Sequence, residues 1–99
     1  MASQTHEHQE AGLGTTISSG ANLASTGLPG LPATAIHCIV EVFSGTLYIE
    51  NDGTDADANS LPIIGAGSVY TIKNCLPSEM AKFRVFAAAA YDARFQYAK

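Results

Sequence analysis

The residues able to do chemistry are few and scattered. His6 and His8 flank Glu7, with Glu10 close behind, a set that could catch a metal ion. A tuned metal site needs ligands held by their neighbours, and the surrounding text, MASQTHEHQEAGLGTTISSG, supplies no element to hold them. The third histidine, His37, falls inside an alternating apolar run, where it reads as a strand residue hydrogen-bonded to its neighbours. No G-x-S-x-G elbow accompanies it. Asp55-Ala56-Asp57-Ala58-Asn59 spaces oxygen ligands like the opening of a calcium loop, but Ser60 stands where glycine is required and Ala66 where the bidentate glutamate belongs. The segment therefore reads as a solvated loop tip. Gly12-Leu13-Gly14 and Gly65-Ala66-Gly67 lack the further glycines and the lysine of a phosphate-binding loop. Cys38 and Cys75, the only two cysteines, read as buried thiols and not as a disulfide framework. No acid, base and nucleophile converge, so the expectation is a non-enzymatic protein without metal or cofactor.

The elements that carry these residues follow two grammars, changing near residue 34. Residues 1–33 are dominated by Gly, Ser, Thr and Ala, and their apolar residues stand singly at Leu13, Ile17, Leu23, Leu28 and Leu31. Neither helical nor strict strand periodicity links them, and Gly and Pro interrupt any long helix. Such a stretch cannot bury enough surface on itself to offset an ordering entropy of about 1–2 kcal/mol per residue. The expectation is a long extended N-terminal arm whose five isolated Leu and Ile side chains anchor in a partner's pockets.

From Thr34 the text is β. Ile36, Cys38, Val40 and Val42 alternate with His37, Ile39, Glu41 and Phe43, a strand apolar on both faces. Ser44-Gly45 and the run Thr46–Glu50 predict a hairpin with it. Leu61–Ile64 predicts a short edge strand, because Pro62 cannot donate to a ladder. Ser68–Lys73 predicts the next strand, Pro77–Met80 one helical turn, and residues 82–88 and 93–97 a closing strand pair. Ala87–Ala90 favours helix, but Phe83, Val85, Phe86 and Phe95 around it favour strand. The fold class is all-β: a small sandwich or barrel of five to six strands over residues 34–99, preceded by the arm. A β domain of that size is marginal alone, so self-association as a dimer or trimer is expected.

Charge narrows the partners. Only 14% of the 99 residues are charged, and residues 1–72 carry seven acids but no Lys or Arg. All five bases, Lys73, Lys82, Arg84, Arg94 and Lys99, follow, against Glu79 and Asp92. A chain of net charge −4 without a basic stripe is a poor ligand for a phosphate backbone, so nucleic acid is not an expected partner. No apolar run approaches the 18 or so residues of a membrane span, and no secretory signal is read at the N-terminus. The split instead predicts contacts between subunits, with Lys73, Lys82, Arg84 and Arg94 of one copy facing Glu41 and Glu50 of another.

Residues 45–98 carry a resemblance. Gly45–Gly53 (GTLYIENDG), Leu61-Pro62-Ile63, Gly65–Ile72 (GAGSVYTI) and Phe83–Ala88 (FRVFAA) follow one another as a Tyr-Ile strand, an Asp-Gly turn, a Leu-Pro segment, a glycine-led strand and a closing pair. This resembles small virion proteins of tailed bacteriophages, capsid cement (decoration) proteins above all. Two positions depart from the pattern: Asn59-Ser60 precedes Leu61-Pro62 without a glycine, and Ala89-Ala90-Tyr91 replaces a glycine turn. The resemblance implies a structural part of the virion that is assembled in the host cytoplasm, lies on the capsid surface and contacts the major capsid protein. Alternatives are a tail, connector or head-fibre component, and, from a different class, a carbohydrate- or ligand-binding β module with Tyr48, Tyr70, Tyr91 and Tyr97 lining a groove beside the 55–59 loop.

Overall fold

The structure is a computed structural model and describes residues 12–99. It contains eight strands and one helical turn: β1 (Gly12–Gly20), β2 (Leu23–Gly27), β3 (His37–Ser44), β4 (Thr46–Glu50), β5 (Leu61–Ile64), β6 (Ser68–Ile72), α1 (Pro77–Met80), β7 (Arg84–Ala87) and β8 (Tyr91–Ala98). Two antiparallel sheets result, β1-β8-β3-β6 and β2-β7-β4-β5. The pairing is nested: the first strand lies on the last, the second on the seventh, the third on the sixth and the fourth on the fifth. This is one long antiparallel ribbon, rolled so that β8 meets β3 and β7 meets β4. An eight-stranded ribbon rolled into two four-stranded sheets is a jelly roll.

The all-β reading holds: the two sheets make the sandwich and not the barrel of the two expected forms, and the six strands within residues 34–99 are joined by β1 and β2, giving eight among the described residues. The arm is corrected. Residues 12–27 form β1 and β2, an edge strand in each sheet, so the boundary at residue 34 does not separate an arm from a domain. Residues 1–11, with His6, Glu7, His8 and Glu10, lie outside the described residues. β1 escaped the strand pattern because Thr16 and Ser18 fill two of its inward positions, while a bulge at Gly12/Gly14 sets Leu13 out of phase with them. Ser18 Oγ and the Tyr91 hydroxyl lie 2.8 Å apart in a hydrogen bond, so a polar side chain is satisfied where an apolar one was sought.

The predicted hairpin at Ser44-Gly45 is also corrected, since β3 and β4 lie in different sheets. The chain turns a corner there instead of reversing. Gly45 has φ +75°, and a Cβ on it would sit 2.2 Å from the Ala90 carbonyl oxygen. The Gly65 N–H donates to the Gly45 carbonyl (2.7 Å), the Ala66 N–H to that of Phe43 (3.0 Å) and the Gly67 N–H to that of Val42 (2.9 Å). Three sheet-to-sheet corners are thus stacked, and only small residues let their backbones approach this closely. The closing pair, β7 and β8, makes the same crossing through Ala88–Ala90 and is likewise not a hairpin. The edge strand at Leu61–Ile64 and the turn at Pro77–Met80 are found where expected.

Both sheets contribute to one core, which includes Val40, Val42, Phe95 and Tyr97 from one and Leu47, Ile49, Ile63 and Val85 from the other. Met80, from α1, is fully buried in it. Tyr97 donates its hydroxyl proton to the Pro29 carbonyl, fixing the 28–36 loop across the end of the core.

Candidate functional site

β3, β6 and β8 put every second side chain into the core, so the alternate set forms an outer face. Register fixes its rows. One row runs Ile17, Arg94, Glu41, Val69, and the next Thr15, Gln96, Ile39, Thr71. Ile17 is 61% exposed, Val69 55%, Ile39 41% and Phe43 40%. Of the seven large apolar side chains exposed among the described residues, these four stand on this one sheet. Between them Arg94 Nη2 donates to Glu41 Oε1 at 2.5 Å, and the guanidinium lies 5.6 Å from the Phe43 ring centroid. The ion pair and the cation–π contact fix Arg94 flat on the sheet. The result is a mixed apolar and polar surface on a rigid scaffold, the kind of patch that contacts another macromolecule.

The sequence-predicted residues are distributed differently. Leu28 is buried in the core, and Leu13, Leu23 and Leu31 pack against it. Four of the five proposed partner anchors therefore belong to the chain's own interior; only Ile17 faces outward. The charges predicted to pair between subunits largely pair within the chain. Arg94 meets Glu41, Arg84 Nη2 reaches Asp55 Oδ1 (3.3 Å) and the Ser25 carbonyl (3.1 Å), and Lys82 meets Glu79 (3.1 Å). Glu50 accepts from the Ser60 hydroxyl at 3.0 Å. Lys73 lines a shallow groove of about 190 Å³ with His37, Ile39 and Gln96.

The tyrosine groove is corrected. Tyr91 and Tyr97 are core residues, Tyr70 is half-buried against the core, and Tyr48 lies on the other sheet with its ring centroid 6.1 Å from that of Phe86. In the 55–59 loop Asp55 is turned to Arg84, while Asp57 Oδ1 accepts the Asn59 N–H at 2.8 Å. Among the described residues no three His, Cys, Asp or Glu side chains converge as metal ligands. His37 accepts the Asn74 N–H at Nδ1 (3.2 Å), as a strand histidine bonded to a neighbour. Cys38 and Cys75 are free thiols, the first buried and the second half-buried. Burial pushes the Cys38 thiol up to about 12, which keeps it protonated and unreactive near neutrality.

Sequence reasoning missed Ile39, Phe43 and Val69 as surface residues. The signal was there: β3 is apolar on both faces, which reads as a strand covered on both sides, whereas here one face is open. Compared with protein families, curated proteins and solved structures, the chain shows no match.

Proposed function

We propose that this chain is a capsid cement (decoration) protein of a tailed bacteriophage, bound to the major capsid protein on the outside of the head. The observation that carries this reading is the open outer sheet face, with Ile17, Ile39, Phe43 and Val69 set around the Arg94–Glu41 pair. An open sheet face of this kind suits attachment to a large protein surface, and the resemblance of residues 45–98 to phage virion proteins points to the major capsid protein as that surface. The attachment expected of an N-terminal arm passes to the sheet. Each aliphatic side chain on it contributes about 1.5–3 kcal/mol when fully buried by a partner, and several copies joined to each other add avidity without strong single contacts. The location is the virion's capsid surface, reached after synthesis in the host cytoplasm.

The test is to produce the chain together with its virus's capsid protein and count copies on purified heads by quantitative mass spectrometry. Copy numbers on the scale of the capsomers support a cement role. A few copies at a single vertex identify the connector, tail or head-fibre alternative, and absence from particles refutes a virion role. Ile39→Asp is expected to weaken head binding roughly ten- to a hundredfold, the loss of one buried aliphatic contact, with the circular dichroism of the free protein unchanged.

A further inference from the structure

A sheet edge is a row of unpaired N–H and C=O groups, and proteins usually guard it with short length, proline or charge. Three of the four edges here are guarded in one of these ways. β5 has four residues and Pro62, while β2 and β6 have five residues each, β6 running directly into Lys73. β1 is different. It has nine residues, GLGTTISSG, with no charge and no proline, and among the described residues only β8 pairs with it. Its register with β8 runs without a shift from Gly14 to Gly20, a stretch centred on Ile17. Ile17 itself points away from the core and is 61% exposed.

We propose that β1 is the self-association edge: two copies join β1 to β1 antiparallel about a two-fold axis at Ile17, making one continuous eight-stranded sheet. An antiparallel strand centred on one residue is self-complementary by construction. Ile17 lies opposite its own copy, and Thr15 opposite Ser19. Every cross-strand pair in this register is apolar or small and polar, so no like charges face each other. The arrangement is isologous and closes at two copies, whereas β1 on the β6 edge, which Lys73 guards at its end, would be heterologous and continue into a filament. The joined outer faces bring both copies of Ile39, Phe43 and Val69 onto one surface. The proposal rests on the self-association included in the function above and assigns it a surface. Its test needs no phage particle, so a failed dimer and a failed head-binding experiment are separate results.

The experiment is sedimentation equilibrium of the full chain, with hydrogen exchange at two concentrations. A dimer is expected, with amide protection in residues 14–20 rising as the dimer fills. Ile17→Lys, which places two like charges opposite each other on an exposed position, should raise the dimer dissociation constant at least tenfold while leaving the monomer folded. In a Cys75→Ser background, Ile17→Cys should give a covalent dimer on mild oxidation, and Thr71→Cys, toward the far edge, should not. A chain that stays monomeric at millimolar concentration overturns the proposal. So does a dimer that Ile17→Lys leaves intact, or one that cross-links through Thr71→Cys as well as through Ile17→Cys.

Discussion

Three glycines at the stacked corners separate two kinds of strain. Gly67 has φ +89° with open space where a Cβ would go, so Gly67→Ala meets only the backbone penalty of the left-handed region, about 1–2 kcal/mol. Gly65 lies outside that region, but its Cβ would fall 2.7 Å from backbone atoms of Ser44, so Gly65→Ala meets only crowding, about 1–3 kcal/mol. Gly45 combines both: φ +75° and a Cβ 2.2 Å from the Ala90 carbonyl oxygen and 2.9 Å from the Tyr91 Cα. Gly45→Ala is expected to cost about 2–5 kcal/mol, the two contributions together. That is a large part of the roughly 5–15 kcal/mol that holds a small domain. Urea titration followed by circular dichroism reads all three variants on one scale. With a slope of about 1–3 kcal/mol per molar, the midpoint for Gly45→Ala should fall by roughly 1 M or more, the furthest of the three. Equal losses for Gly45→Ala and Gly67→Ala would refute the view that close backbone approach between corners holds the two sheets in place.

Two further outcomes follow from buried groups. The Cys38 thiol rises from 9.0 to about 12 on burial, so the folded state holds its proton more tightly than the unfolded chain. Its stabilisation is complete below pH 9 and is lost as pH rises toward 12, on the order of 4 kcal/mol across that window. Cys38→Ala should lower stability at pH 7 by about 1 kcal/mol through the small cavity it leaves, yet flatten the alkaline decline measured by urea unfolding at pH 8–11. A decline that remains as steep in the variant would assign it to other groups. Tyr97→Phe removes the hydroxyl that donates to the Pro29 carbonyl in a part-buried bond and should cost about 0.5–1.5 kcal/mol, the net worth of one such hydrogen bond. Hydrogen exchange should then localise the change to residues 28–36; uniform loosening would show that the bond does not anchor that loop.

Much of the strand content was legible because β3 through β8 carry β-branched and aromatic residues in alternation, bounded by Gly, Pro and polar turns. What sequence could not show was which strands share a sheet. Ser44-Gly45 has the composition of a hairpin turn, and only the neighbouring corners at Gly65 and Ala90 make it a crossing. Local turn chemistry carries no information about a backbone that arrives from twenty or forty-five residues away. The same limit hid β1, whose Thr16 and Ser18 look like linker text until Tyr91 is folded opposite. It also disguised the outer face. Glu41 and Arg94 are 53 positions apart and read as charges for another subunit, but the β3–β8 register sets them on one rung. Ile39 and Phe43 were visible as apolar residues out of phase with the core, though nothing local said which face stays open.

The nested pairing of strands sets a schedule for folding on the ribosome. β1 leaves the exit tunnel long before β8, yet Gly12 pairs with Ala98 and β8 is also the strand that joins β1 to β3. Until β8 is synthesised the first sheet is two fragments with nothing between them, and the two interior sides of β1 and β3 stay open to other nascent chains. A chain stalled just before Tyr91 can pair the whole of β2-β7-β4-β5 and join β3 to β6, yet it leaves β1 unattached, because the missing strand lies in the middle of the first sheet and not at its margin.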